Sequence, residues 1–212
     1  METVAVIDFE TTGISPGQGA RATEIAAVLL RDGQVAGSYQ SLMNAGAWIP
    51  PFIESLTGIS NAMVAAAPPA RAVMREVMAF TRGCPMVAHN ASFDRSFWVA
   101  EAAAAGCESD PAHRFACTML LARRLYPEAP NHKLGSLAAL HRLPDNGRAH
   151  RALADAMTAA QLWLRLQRDL QDRCASGGAP LTHEAMCELQ RTPRGGIERW
   201  LRGRADRRKE AA

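Results

Sequence analysis

Residues 3–13 read Thr-Val-Ala-Val-Ile-Asp-Phe-Glu-Thr-Thr-Gly, an apolar, partly β-branched run that ends in two acids. Val4 to Ile7 has the composition of a buried central strand running up to the carboxylates. In a strand, residues i and i+2 point to the same face, so Asp8 and Glu10 stand side by side. Adjacent carboxylates repel each other and lose hydration if buried. A divalent cation removes that cost, because hard cations take oxygen ligands. The pair therefore marks a metal-dependent enzyme.

Working outward, Gly13, Pro16, Gly17 and Gly19 mark a loop. "ATEIAAVLL" and "QVAGSYQSLM" flank "RDG", a hairpin signal. Strand, turn, strand, turn, strand predicts an antiparallel three-strand meander. "PPFIESLTGIS" reads as a short helix with Gly58 at its C-terminal cap. "PPARAVMREVMAFTRG" reads as a helix with Pro69 in its first turn and Gly83 closing it. "PMVAHN" is a short strand and "ASFDRSFWVAEAAAAG" a helix; "RFACTMLLARRLYP" is a strand running into a helix; "LGSLAALHRL" is a short helix. "RALADAMTAAQLWLRLQRDLQDR" is the longest helical pattern, and its leucines have core spacing. Strands first, then strands alternating with helices, predict an α/β fold with a mixed sheet. "CASGGAP" reads as a linker, with "LTHEAMCELQ" and "IERWLRG" as short helices beyond it.

The 212 residues and 48% hydrophobic content suffice for one domain with a real core. The five cysteines are odd in number and form no CxxC pair, which disfavours a zinc knuckle or a disulfide framework and fits a reducing, cytoplasmic setting. No secretory leader or membrane-length apolar run is read. Net charge is +3, but residues 190–212 carry eight basic and three acidic side chains, leaving the rest slightly acidic. That basic extension reads as a solvated, partly disordered segment, with a nucleic-acid arm as the lesser reading.

Three more positions join the acid pair. Asp94 lies in "VAHNASFD", just past a strand end and inside the first turns of a helix. His150 and Asp155 lie in "HRALAD". Five helical residues turn through about 500°, so the two would diverge if both were helical. His150 is therefore placed on the preceding loop and Asp155 one turn into the helix. His113, His132, His141 and His183 read as surface or helix-end residues, and His89 is open between a structural and a site-lining role.

Together "IDFETTG", "AHNASFD" and "HRALAD" resemble the three motifs of the DEDDh 3′–5′ exonucleases, in particular the epsilon-subunit-like proofreading exonucleases of bacterial DNA polymerase III. The resemblance covers roughly residues 1–170. It implies a ribonuclease H-like fold, with antiparallel and parallel strands in one sheet flanked by helices. It also implies an exonuclease domain at 1–173 followed by a basic extension at 174–212. Asp8, Glu10, Asp94 and Asp155 would bind two Mg²⁺ or Mn²⁺ ions, with Asp8 shared between them. Two ions about 4 Å apart can hold both oxygens of an in-line phosphodiester displacement. His150 would be the general base, since a free imidazole titrates near 6.5.

The same resemblance implies a pocket for the terminal nucleotide. Thr11, Thr12 and Gly13 would approach the sugar, Leu56 and Ile59 of "SLTGIS" would wedge against the bases, and Phe93 would stack near them. The expected ligand is a single-stranded DNA 3′ end, released as nucleoside 5′-monophosphates in proofreading or repair, alone or with a DNA polymerase subunit. Two alternatives stay open. "MVAHNASFDRSFWVAEAAAA" also resembles ribonuclease T, which implies RNA trimming. The other is a catalytically idle nucleic-acid-binding or polymerase-associated module, against which the complete acid and histidine set argues.

Overall fold

The computed structural model describes residues 2–174 and 181–209. β1 (Thr3–Thr11) pairs antiparallel with β2 (Ala22–Arg31), placing Asp8 opposite Ala26 and Glu10 opposite Glu24. β1 therefore does not stop at the carboxylates. β2 offers partners as far as Ala22, so the strand carries both acids within its hydrogen-bonded length. β2 returns through Asp32-Gly33, both at positive φ (55 and 77), into β3 (Gln34–Leu42). Two left-handed residues in a two-residue loop match the twist of the strands they join.

α1 (Pro51–Thr57) ends at Gly58, whose φ of 73 lets its N–H reach the Glu54 carbonyl. α2 (Asn61–Ala65) is capped by the Ser60 hydroxyl. α3 (Ala70–Phe80) starts immediately after Pro69, one residue later than the sequence implied. β4 (Met86–Ala88) then lies parallel to β1, followed by α4 (Ala91–Ala104). β5 (Phe115–Cys117) lies parallel to β4 and runs into α5 (Thr118–Leu125). α6 (Leu134–Leu140) and the 22-residue α7 (Ala152–Arg173) follow. The sheet order is β3-β2-β1-β4-β5, the expected mixed sheet.

Alternation along β1 divides the core. Ala5, Ile7 and Phe9 pack with α3 and α4, beside Val73, Met74, Val77, Phe97 and Trp98. Val4 and Val6 face the other way, into the cluster built on α5 and α7, where Leu162, Trp163 and Leu166 of "QLWLRL" are buried. Asp8 and Glu10 share the parity of Val4 and Val6. They therefore continue the α7-facing side of β1, at the end where the parallel strands finish. Ligands of open α/β sheets gather outside the carboxyl ends of the strands.

Most of the linker reading, residues 175–180, lies outside the described residues. Beyond it, α8 (His183–Leu189) and α9 (Ile197–Lys209) depart from a solvated tail: Leu181, Met186, Leu189, Ile197 and Leu201 are buried in the α5–α7 cluster. His183, expected at the surface or at a helix end, is the first residue of α8 but fully buried, with Nε2 2.8 Å from the Met86 carbonyl. The His113 ring also stands within the structure, edge-on to Trp98. Met186 is 0% exposed. Met186→Ala is expected to cost about 2–5 kcal/mol in urea denaturation, as for other large-to-small core changes. A cost near zero would return the segment to the status of a loose extension.

Candidate active site

Four acids and one imidazole converge from three elements. β1 supplies Asp8 and Glu10, α4 supplies Asp94 from its first turn, and α7 supplies Asp155 from its own. Asp94 is 1% exposed, and its Oδ1 accepts the Phe9 N–H at 3.2 Å, which ties α4 to β1 between the two β1 acids. Asp155 Oδ2 accepts the His150 N–H at 3.0 Å. His150 is exposed on the loop before α7, as its spacing implied, and carries φ 61. Left-handed backbone is unusual for a residue with a Cβ and gathers at functional sites. One ligand atom from each of Glu10, His150 and Asp155 lies within 4.8 Å of the others, close enough to hold one metal ion.

The electrostatics show what the cluster lacks. Burial, then Asp94, Glu10, Asp155 and Glu24, raise the Asp8 pKa well above the ordinary carboxylate range. Burial, then the charges of Asp155, Glu24 and Asp94, push Glu10 up to about 8, against a lowering by Arg151. Burial likewise lifts Asp94 to about 8 despite its backbone hydrogen bonds, and raises Asp155. Without cations the folded cluster thus holds protons near neutral pH. An oxygen-rich set that retains protons is a donor set that hard divalent cations can take over.

This has a pH consequence. A carboxyl whose folded pKa exceeds its unfolded value binds more protons folded than unfolded, so its contribution to stability falls as pH rises from the unfolded pKa, near 4, through the folded one. In chelator, wild type should lose stability relative to Glu10→Gln between about pH 5 and 8, by at most about 1.4 kcal/mol per pH unit for this one group. Thermal melts of both proteins across that range check it. A difference that is flat or grows with pH would contradict the electrostatics.

The remaining expected residues divide. Leu56 is 47% exposed at the end of α1, joined by Phe52 at 68%. Ile59, expected as a wedge, is instead 0% exposed in a small cluster with Ile49 and Val64, where its side chain supports the loop. Phe93 is half-buried, its ring 4.9 Å from that of Phe97. Thr11 is buried and its hydroxyl donates to the Gly13 carbonyl at 2.7 Å, while the Thr12 hydroxyl accepts the Arg21 N–H at 3.0 Å. Those hydroxyls shape the loop. At Gly13 a Cβ would stand 3.3 Å from that of Ala20, so the residue's smallness serves this loop packing. His89 bonds through Nδ1 to Thr118 Oγ1 (2.9 Å) and through Nε2 to the His132 carbonyl (3.0 Å). Burial lowers its pKa to about 4, and this neutral, doubly hydrogen-bonded histidine also lines the groove beside the site, so both expected roles apply.

His150 and Asp155, at the edge of the cluster, line a groove of about 1250 Å³ together with Arg123, Lys133 and Arg142. These cations come from α5 and from the two ends of α6, and the sequence reading assigned none of them to the site. Glu24 was also missed. It is 1% exposed on β2 and ion-paired to Arg151 at 2.8 Å.

The exonuclease family RNase_T matches residues 5–163. Among curated proteins, the 3′-5′ exonuclease DinG of Bacillus subtilis is 37% identical over 78% of this chain and 18% of its own length. A DNA polymerase III subunit epsilon-like protein of Rhodobacter capsulatus is 37% identical over 85% of this chain and 26% of its own. The chain thus spans about a quarter or less of these relatives. Among solved structures, exonuclease X in complex with 5′-overhanging duplex DNA superposes with a TM-score of 0.67 at 29% identity, covering 88% of this chain and 99% of that one. The nuclease domain of 3′hExo, described as a DEDDh family member bound to rAMP, gives a TM-score of 0.67 at 19% identity over 79% of this chain and shows the shared fold alone.

Proposed function

The chain belongs to the RNase_T exonuclease family, of DEDDh type and ribonuclease H-like fold, and from that premise we propose that it removes nucleotides from the 3′ end of single-stranded DNA by metal-dependent hydrolysis. Exonucleases of this type use divalent metal ions, and the Glu10, His150 and Asp155 cluster is a donor set able to hold one. The observation that carries the proposal is the clustering of four carboxylates with His150, beside a groove that His150 and Asp155 line together with three cations.

Asp8, Glu10, Asp94 and Asp155 would hold two ions, Mg²⁺ or Mn²⁺, and Asp8, on the rigid central strand, would serve both in this reading. When bound, such ions hold the attacking and leaving oxygens of an in-line displacement and neutralise the developing charge. His150 takes the proton of the attacking water. Its backbone N–H is anchored on Asp155, which leaves the exposed ring free to face the groove. Arg123, Lys133 and Arg142 are placed to meet backbone phosphates, which position a strand without reading its sequence. Leu56, with Phe52 one turn before it, offers apolar surface for the terminal bases, and Phe93 presents part of a ring. Thr12 and Gly13 would contribute backbone to the sugar side.

Residues 1–173 form the exonuclease unit in this reading, and 174–212 are a basic extension to it. Relatives described as DNA polymerase III proteins support proofreading or repair beside a polymerase subunit. The free thiols of Cys84, Cys107, Cys117 and Cys187 support a cytoplasmic setting. Among the described residues no helix is long and apolar enough to cross a membrane.

The nearest competing substrate is RNA, and the 2′-OH decides between them. Parallel digestion of single-stranded DNA and RNA of matched sequence tests it. Faster release of deoxynucleoside monophosphates supports the proposal. Faster RNA trimming would assign the ribonuclease T-like alternative, and binding without hydrolysis would assign the idle module.

A further inference from the structure

An ion pair between a buried carboxylate, Glu24, and a half-buried guanidinium, Arg151, lies between the sheet and the loop of His150. Glu24 stands opposite Glu10 on β2. Its Oε1 accepts from Arg151 Nη2 at 2.8 Å and from Gln40 Nε2 at 2.8 Å. Its Oε2 accepts from Arg151 Nε at 3.1 Å and from the Ala152 N–H at 3.0 Å. These bonds outweigh burial and hold Glu24 below its ordinary pKa, so it stays ionised while the acids opposite it are lifted.

The pair grips the chain at one place. Arg151 is the residue after His150 and stands at the N-terminal cap of α7, yet its side chain makes no cap bond to that helix. Glu24 supplies the acceptor instead, from another element. It takes the Ala152 N–H at the positive end of the helix and the two-pronged Arg151 guanidinium beside it. The neighbouring His150 backbone sits at φ 61 with its side chain exposed, so packing around its own ring does not hold it there.

We propose that Glu24 and Arg151 are positioning residues: a two-point clamp that fixes the start of α7 to β2 and so sets His150 and Asp155 over Asp8 and Glu10. The planar guanidinium matters beyond its charge. A fork bonded through Nε and Nη2 fixes orientation, whereas an ammonium bonded at a single point leaves the loop free to pivot. The proposal rests on the nuclease reading for its activity readout, and on Mn²⁺ binding for one that is independent of substrate.

Wild type, Arg151→Lys and the double variant Glu24→Gln/Arg151→Met are compared by thermal melting, by Mn²⁺ titration calorimetry without substrate, and by digestion of end-labelled single-stranded DNA. The double variant removes both charges together, so no buried charge is left unpaired. It should lose about 10²-fold in kcat, the effect of misplacing a reacting group by about 1 Å, with a much smaller change in KM. Its Mn²⁺ affinity should fall about 10-fold or more, because Asp155 is no longer held. Arg151→Lys should lie between the double variant and wild type. A folded double variant with kcat within about threefold of wild type and unchanged Mn²⁺ affinity overturns the clamp. So does a loss confined to KM, which would make Arg151 a ligand contact. If the double variant does not fold, Arg151→Lys decides: a lower kcat at an unchanged melt supports the clamp, and an unchanged kcat overturns it. A wild type inactive on DNA and RNA overturns the proposed function, and the Mn²⁺ affinities then decide the clamp, weakened in support or unchanged against it.

Discussion

Asp8→Ala is expected to abolish hydrolysis while raising the melting temperature of the metal-free protein. The two effects share one cause. Asp8 sits among Asp94, Glu10, Asp155 and Glu24, and burial together with their charges raises its pKa. Removing it relieves like-charge repulsion in the folded state, so stability in chelator should rise at pH 8, where more of the cluster is ionised. It also removes the oxygen ligand proposed to serve both ions. Lewis-acid stabilisation contributes several kcal/mol to a transition state. Turnover should therefore fall by more than about 10³-fold. Turnover and melting in EDTA check both halves. Near-normal turnover would contradict the two-ion assignment, and a lower melt would contradict the electrostatic one.

His150→Ala is the second large effect, a loss of about 10²- to 10⁴-fold in rate, the range for a removed general base. Binding of single-stranded DNA in Ca²⁺ should change much less, because the imidazole is proposed to act on water. A glycine at this position separates chemistry from strain. His150 has φ 61, which glycine adopts freely. His150→Gly should be as slow as His150→Ala yet more stable than it by about 1 kcal/mol, the usual penalty of left-handed backbone for a side chain. An unchanged rate in both variants would move the base elsewhere. His89 would not inherit the role, since both its ring nitrogens are engaged.

The parts of this site that were legible in the sequence are those whose geometry is local. Asp8 and Glu10 share a face because strands alternate, and the structure keeps them so. His150 falls before α7 and Asp155 within its first turn because helical spacing would otherwise separate them. The meander and its Asp32-Gly33 turn were equally local. What was hidden depends on pairing across the sheet or on tertiary contact. Glu24 interrupts an apolar strand and looks like a misplaced charge until register sets it against Glu10 and α7 brings Arg151 down on it. Ile59 follows the Gly58 cap, and the left-handed turn there sends it into the Ile49 and Val64 cluster while Leu56 stays outside. The burial of His183 at the start of α8 was hidden for a related reason. Its partner is the Met86 carbonyl, 97 residues away, which no local pattern reveals. The groove cations Arg123, Lys133 and Arg142 are likewise brought together only by the fold.

The most direct test of the central claim is the product pattern from a single-stranded DNA oligonucleotide labelled at its 5′ end, digested in Mg²⁺, in Mn²⁺ and in EDTA. The account predicts a ladder that shortens from the unlabelled 3′ end one nucleotide at a time, with nucleoside 5′-monophosphates as the released product, in either metal and not in EDTA. Immediate release of the labelled 5′ nucleotide, internal cuts without a ladder, or digestion that persists in EDTA would contradict it.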